Sequence, residues 1–283
     1  MIEIPKQLQQ VYIAGRNYKD YGMMIEQYAH QQWCARPPSG IHRQYVPIYW
    51  TSLYSAKNRK LVGEAQRIID SIEGPSFTVV QHDEGLCRNT APDDMRVFTA
   101  GCDGPDVLPL IYDLEVTDAP CHREQFAFFA GNITHKANDR NRVRSRMRDA
   151  LQNAHGFSIM DTGQQPLVDF SKSMRECVFA LCPRGYGPTS FRLYEAMHYG
   201  AIPVYIYDKP CLPYLDELRW PSFSVLCHID DIRRLPARLR SFSRQGIAQL
   251  QQEAARLLPK YFTMPAVYRQ LVLKLQREED GKA

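Results

Sequence analysis

The run Cys182-Pro-Arg-Gly-Tyr-Gly-Pro-Thr-Ser-Phe-Arg-Leu-Tyr-Glu195 gathers residue types that suit a phosphate ester. Pro183, Gly185, Gly187 and Pro188 follow the apolar stretch 177–181, so the backbone there can turn sharply and come close to a ligand. Thr189 and Ser190 offer the cap of a following helix, whose first N–H groups and partial positive charge make a phosphate site. Arg184 can add a bidentate charge-assisted contact to a diphosphate. Glu195 falls in the second turn of that helix, where a carboxylate can accept hydrogen bonds from a ribose diol. The same residues also describe a plain strand-to-helix turn with a surface arginine and a solvated glutamate, and spacing leaves both readings open.

Two further clusters carry charge. Val79-Val-Gln-His-Asp-Glu-Gly85 sets His82, Asp83 and Glu84 just beyond a buried strand, where open α/β sheets bind ligands. In a basic helix expected over 138–153, Arg140, Arg144 and Arg148 form one stripe and Arg142 and Arg146 another, so they cannot all face one ligand. For any one of them a solvated face is the plainer account.

The elements that must position these residues alternate between strand and helix, as in parallel sheets covered on both faces. Strands are expected at 11–14, 46–50, 77–81, 107–111, 126–130, 157–160, 177–181 and 202–206. Helices are expected at 21–32, 60–72, 138–153, near Ser171, and at 190–199, 244–258 and 265–278. Residues 86–125, rich in Asp, Pro, Gly and Cys, read as irregular apart from 107–111 and mark the domain junction. Tyr18, Tyr21, Tyr28 and Trp33 could form a sugar-stacking surface, although aromatics at near-helical spacing more often fill a core, and 15–18 could be an acceptor loop.

At 283 residues, 44% hydrophobic and 23% charged, the chain suits two ordinary globular domains. A formal charge of +4 is too weak to argue for nucleic acid. The first residues lack a basic segment with an apolar core, and no apolar run approaches a membrane span, so we expect a soluble cytoplasmic enzyme of bacterial or viral type without a membrane anchor, and a Golgi-lumen location only for a truncated piece of a secretory protein. The eight cysteines show no metal-site spacing and read as reduced thiols. No Asp-x-Asp pair occurs, and Asp93-Asp94 and Asp230-Asp231 read as solvated or capping. A dinucleotide oxidoreductase lacks its glycine fingerprint after the first strand.

The longer run Phe179-Ala-Leu-Cys-Pro-Arg-Gly-Tyr-Gly-Pro-Thr-Ser-Phe-Arg-Leu-Tyr-Glu-Ala-Met-His-Tyr-Gly-Ala-Ile-Pro-Val204 closely resembles the signature of the exostosin-like glycosyltransferases. Weaker similarity covers roughly 120–245, through Phe128-Phe-Ala-Gly131, Val143-Arg144 and Asp230-Asp-Ile232; Val79 to Gly85 looks like the family's strand ending in a His-Asp pair, with Glu84 where an aromatic often stands. The resemblance implies an α/β protein of GT-B type, two Rossmann-like domains with parallel sheets facing a central cleft. Residues 1–120 would form the acceptor-side domain, with the helix in 262–283 packing back on it, and 121–261 the nucleotide-sugar domain. It implies an inverting transfer of xylose, glucuronic acid, galactose or arabinose from a UDP-sugar to a glycan hydroxyl, forming a β-linkage, with no metal and no cofactor beyond the nucleotide-sugar co-substrate. Gly131, Asn132, Arg144, Arg184, Gly185, Tyr186, Gly187, Pro188, Thr189, Ser190, Arg192 and Glu195 would bind the donor, Arg144 through a phosphate. Without a metal, protein cations must neutralise the departing diphosphate. An inverting displacement also needs a base for the acceptor hydroxyl, for which Asp83 is the first choice, Glu84 the second and His82 the third. The alternative for Asp83 is that it caps a turn or orients His82. The alternative for the chain is an inactive glycan- or nucleotide-binding protein of the same fold. Oligomeric state is not legible.

Overall fold

The structure, a computed structural model, describes residues 1–10, 23–102, 104–114, 123–133, 139–164 and 169–281. The chain divides into two compact units, Met1–Asp113 with Tyr261–Ala283, and Leu114–Lys260. The strand expected at 11–14, the loop 15–18 and Tyr21 lie outside the described residues.

In the first unit the described elements begin with helix α1 (Ile25–Ala35), strand β1 (Gln44–Tyr45), helices α2 (Trp50–Ala56) and α3 (Arg59–Asp70), and strands β2 (Ser76–Val80) and β3 (Met95–Thr99). The three strands are parallel in the order β1-β2-β3. Helix α3 forms as its spacing predicts: Asn58 caps it by accepting from Lys60 N–H at 3.0 Å, and Leu61, Ala65 and Ile69 are buried on one stripe. Trp33 packs against Tyr45 and Phe77, which makes it core rather than a sugar platform. Tyr28 meets Tyr268 edge-on.

Two expectations are corrected here. The strand at 46–50 does not form, because Pro47 has no N–H for the ladder and Trp50 opens α2. Val46 still donates to the Phe77 carbonyl, and the buried Thr78 hydroxyl links Trp50 Nε1 to the Val46 carbonyl with two 2.8 Å bonds, so the polar groups of Val46, Trp50 and Thr78 named here are paired. Within 86–125, expected to be irregular, β3 pairs along its whole length with β2, whereas 107–111 contributes a single bridge, Thr99 to Val107. Leu108 N–H reaches the Thr99 carbonyl at 2.7 Å, and Pro109 then ends the pairing.

The last helix, α9 (Met264–Asp280; α7 and α8 are described below), is capped by Thr263 and packs on α1. Glu278 fixes its end by joining Arg43 at 2.5 Å and Arg96 at 2.7 Å, while Arg96 also grips both oxygens of the buried Asp106.

The second unit holds strands β4 (Gln125–Gly131), β5 (Phe157–Asp161), β6 (Cys177–Pro183), β7 (Ile202–Tyr207) and β8 (Val225–His228) in one parallel sheet of order β5-β4-β6-β7-β8. Helices α4 (Val143–Leu151), α5 (Phe170–Glu176), α6 (Phe191–His198), α7 (Leu235–Arg240) and α8 (Arg244–Tyr261) complete the elements named here. Strand order reverses between β4 and β6, which makes their carboxyl ends the switch point where such sheets receive ligands. Helix α4 buries Val143, Met147 and Leu151 against Phe129, Phe179 and Ile202. It is shorter than expected: Asn141 and Arg142 adopt left-handed φ of 55° and 58°, so the helix starts only at Val143 and Arg140 stands on the preceding turn, off the expected stripe.

The reading of all eight cysteines as thiols fails for Cys102 and Cys211, which are disulfide-bonded. Cys34, Cys87, Cys177, Cys182 and Cys227 are free. Among the described residues no helix is long and apolar enough to cross a membrane.

Candidate functional site

The carboxyl ends of β4 and β6 are joined by one side chain. Arg144, in the first turn of α4, donates from Nη1 to the Asn132 carbonyl at 2.8 Å and from Nε to the Arg184 carbonyl at 3.1 Å. Its place is fixed from below by Asp139, whose carboxylate caps α4 by accepting from the N–H groups of Arg144 and Ser145. The guanidinium lies so close to the 185 backbone that a Cβ on Gly185 would stand 2.8 Å from Nη2. Gly131 is equally confined, since its Cβ would come 2.9 Å from Phe129 Cζ. Gly131, Asn132, Arg144, Arg184 and Gly185 are thus brought together at the switch point.

Burial lowers the Arg144 pKa to about 10, and Arg192 adds like-charge repulsion; Asp139 and Asp161 oppose both. Arg192, in the first turn of α6, donates to the Ala130 carbonyl at 2.8 Å and lies over the Phe170 ring at 4.1 Å. Two partly desolvated guanidiniums that repel each other define a place where an anion is favoured.

Arg184 does something other than the sequence suggests. Its Nη1 meets the Asp208 carboxylate at 2.9 Å, its Nε the Gly187 carbonyl at 3.1 Å, and its Nη2 the Tyr186 carbonyl at 3.3 Å. The residue is buried, and all three nitrogens serve the protein, so it shapes the loop instead of reaching outward. Asp208 also accepts from Asn141; burial works against its ionisation, but Arg184 and Asn141 outweigh that and lower its pKa. Tyr186 lies under Arg140, with Cζ 4.8 Å from the ring, and the Pro188 carbonyl accepts from Tyr205 Oη at 2.9 Å.

Ser190 caps α6 as predicted, accepting from Arg192 N–H at 3.3 Å. Glu195 is buried, and burial pushes its carboxyl up to about 8. Its Oε2 lies 2.9 Å from Arg192 Nη1 without the alignment of a hydrogen bond. Among the described residues, Glu195 Oε2, Thr189 Oγ1 and Asp161 Oδ2 are buried without a hydrogen-bond partner. Each belongs to a segment leaving the carboxyl end of β5 or β6, and a ligand rich in hydroxyl and N–H groups would supply what they lack. Asp161 escaped the sequence reading although it ends β5; its Oδ1 accepts from Ile133 and Gly163 N–H and so braces the turn after β4. The signal was an acid at the end of the second strand of the unit.

In the first unit, His82, Asp83 and Glu84 share one turn. Glu84 N–H donates to His82 Nδ1 at 3.0 Å, Gly85 N–H to the His82 carbonyl at 3.1 Å, and the His82 ring lies 3.8 Å from that of Tyr54. Burial lowers the His82 pKa, with Glu84 pulling the other way. Gly101 is required beside this turn, because a Cβ there would fall 2.6 Å from the Asp83 carbonyl oxygen.

A parallel α/β sheet with polar loops and paired arginines at its switch point has the place and the charge to receive an anionic ligand. Residues 107–242 match the Exostosin GT47 domain, in line with the resemblance of the 179–204 run to the exostosin-like glycosyltransferases. Each of the two units carries a parallel sheet, an α/β organisation consistent with the GT-B type expected from the signature. The chain is 30% identical over 133 residues to a probable glucuronosyltransferase of Oryza sativa subsp. japonica, covering 46% of this chain and 31% of that protein. It is 29% identical to the probable beta-1,4-xylosyltransferase IRX10L of Arabidopsis thaliana, covering 46% and 32%. The chain thus spans about a third of the length of these curated relatives. Among solved structures it is similar to Anabaena Alr3699/HepE in complex with UDP and glucose, with TM-score 0.48, 11% identity and coverage of 89% of this chain and 75% of that one. The pneumococcal O-GlcNAc transferase GtfA in complex with UDP and GlcNAc gives TM-score 0.45 and 10% identity, over 71% and 45%.

Proposed function

We propose that this chain performs an inverting glycosyl transfer, moving a sugar from a UDP-sugar to a glycan hydroxyl and leaving a β-linkage. The second unit would hold the donor and the first would present the base. The observation that carries the reading is the Arg144–Arg192 pair, held at the switch point by backbone carbonyls of β4 and of the loops after β4 and β6. A departing diphosphate is the anion such a pair suits, and fixed cations there lower the barrier without a metal by stabilising charge as it forms. Glu195 and Thr189 would take the ribose hydroxyls, the 185–188 backbone would lie along the diphosphate, and Asp83 would accept the acceptor's proton. The relatives named for glucuronosyl and xylosyl transfer favour glucuronic acid or xylose as the sugar.

The test is calorimetric titration with UDP in the presence of a chelator, followed by transfer assays with UDP-glucuronic acid and UDP-xylose. Arg144→Ala should weaken UDP binding by at least about ten-fold, the worth of one charge-assisted hydrogen bond. Asp83→Asn should leave UDP binding intact and reduce transfer by about a hundred-fold or more, as loss of a general base does. UDP binding with no transfer from any sugar nucleotide would leave a nucleotide-binding protein in place of an enzyme.

A further inference from the structure

Glu26 is completely buried, and nothing in the chemistry above uses it. It stands in the first turn of α1. Its Oε1 accepts from Gln81 N–H at 2.8 Å, Thr51 N–H at 3.1 Å and Thr51 Oγ1 at 2.8 Å, and Thr51 N–H also reaches Oε2 at 3.2 Å. The contact is reciprocal, because Ile25 N–H donates to Gln81 Oε1 at 2.8 Å. Gln81 is the residue through which β2 enters the 82–85 turn. Thr51 lies in the first turn of α2, one turn before Tyr54, whose ring rests on His82. One carboxyl therefore holds both the backbone entry of that turn and the helix carrying its stacking partner.

We propose that Glu26 is the positioning residue of the 82–85 turn, fixing Gln81 and α2 in one frame so that Asp83 is presented by a group no ligand touches. The catalytic part of this rests on the reading of Asp83 as base; the positioning part does not. Burial pushes the Glu26 carboxyl up to about 7, against the hydrogen bonds from Gln81 and Thr51 that favour the anion. The titratable groups facing it are Tyr45 at β1, Tyr49 before α2 and Cys87 beyond the turn, with His30 of α1 hydrogen-bonded to Tyr49. Burial raises both tyrosines and takes Cys87 up to about 12, so these three stay neutral while Glu26 titrates, and it lowers His30. With a proton on Oε2, Oε1 keeps its three donors, so the turn holds its place in both states and is gripped harder in the ionised one. Glu26→Gln copies the protonated state, and Glu26→Ala removes the clamp.

Amide hydrogen exchange at Gln81, followed by NMR from pH 5.5 to 8.5 and corrected for intrinsic exchange, reads the clamp without reference to activity. In the unaltered protein, protection at Gln81 should rise several-fold as pH passes through about 7; in Glu26→Gln it should be flat, and in Glu26→Ala lower by about ten-fold or more throughout. The kcat profile of Glu26→Gln should lose an inflection near 7 while KM for the UDP-sugar is unchanged. Identical Gln81 protection in the unaltered protein and Glu26→Gln at every pH would overturn the proposal, whatever the transfer assay gives. A protection step at Gln81 in a protein that transfers no sugar would uphold the positioning and refute the transferase reading instead.

Discussion

Gly185→Ala tests whether the pinned position of Arg144 is what makes the proposed donor site. The substitution adds one methyl group and removes no charge and no hydrogen-bonding group. Its Cβ would stand 2.8 Å from Arg144 Nη2 and 3.5 Å from Cζ, and Gly185 does not adopt a left-handed φ, so the strain lies in this contact and not in the backbone. A free arginine would swing away at little cost. Arg144 is not free to swing, because Nε and Nη1 are tied to the carbonyls of Arg184 and Asn132. Either one of those bonds breaks or the 185 backbone backs off by several tenths of an ångström, and both outcomes move the guanidinium relative to the loop proposed to hold the diphosphate. Loss of one charge-assisted hydrogen bond to the ligand is worth about 1.5–3 kcal/mol, which is roughly a 10- to 150-fold rise in the Kd for UDP. Isothermal titration with UDP measures it, and a thermal melt without ligand checks that the sheet is intact. If Gly185→Ala binds UDP within two-fold of the unaltered protein while Arg144→Ala loses binding, the charge of Arg144 matters and its pinned geometry does not, and the reasoning fails.

Two other consequences are open to measurement. Glu278→Ala leaves Arg43 and Arg96 without the carboxylate that ties α9 to the sheet edge; because Glu278 is partly exposed, solvent screening limits the loss to about 1–2 kcal/mol, seen as a fall of roughly 2–6 °C in Tm. Glu195 is an acid whose folded pKa, about 8, lies above its unfolded value, so its contribution to stability is full below about 4.5 and declines as pH rises through 8. Glu195→Gln should therefore melt with the unaltered protein at pH 4.5 and above it at pH 8.5, by ~2 kcal/mol once the nearby Arg192 is allowed for; melting curves that stay superimposed at pH 8.5 would show that the carboxyl ionises in the folded protein without penalty.

Much of this architecture was legible because its causes are local. Apolar runs became β4, β6 and β7, and a serine before an amphipathic stretch became the cap of α6. What was misread depends on groups far apart in the chain. Arg184 has the sequence context of a ligand-reaching arginine, and only the fold shows that Asp208, at the end of the neighbouring strand, claims it. By spacing alone Arg144 was one of five alternating arginines, and only the family resemblance singled it out; two consecutive left-handed residues end that periodicity, and the Asp139 cap sets the register that brings it to the switch point. Glu26 gave no signal at all, since a glutamate early in a helix is ordinary on any surface, and its meaning comes from Thr51 and Gln81 arriving beside it. The residues proposed to carry chemistry were therefore easier to pick out than those that hold them. A glycine-rich loop advertises itself through backbone freedom, whereas an acid that braces a turn is defined only by the donors that fold around it.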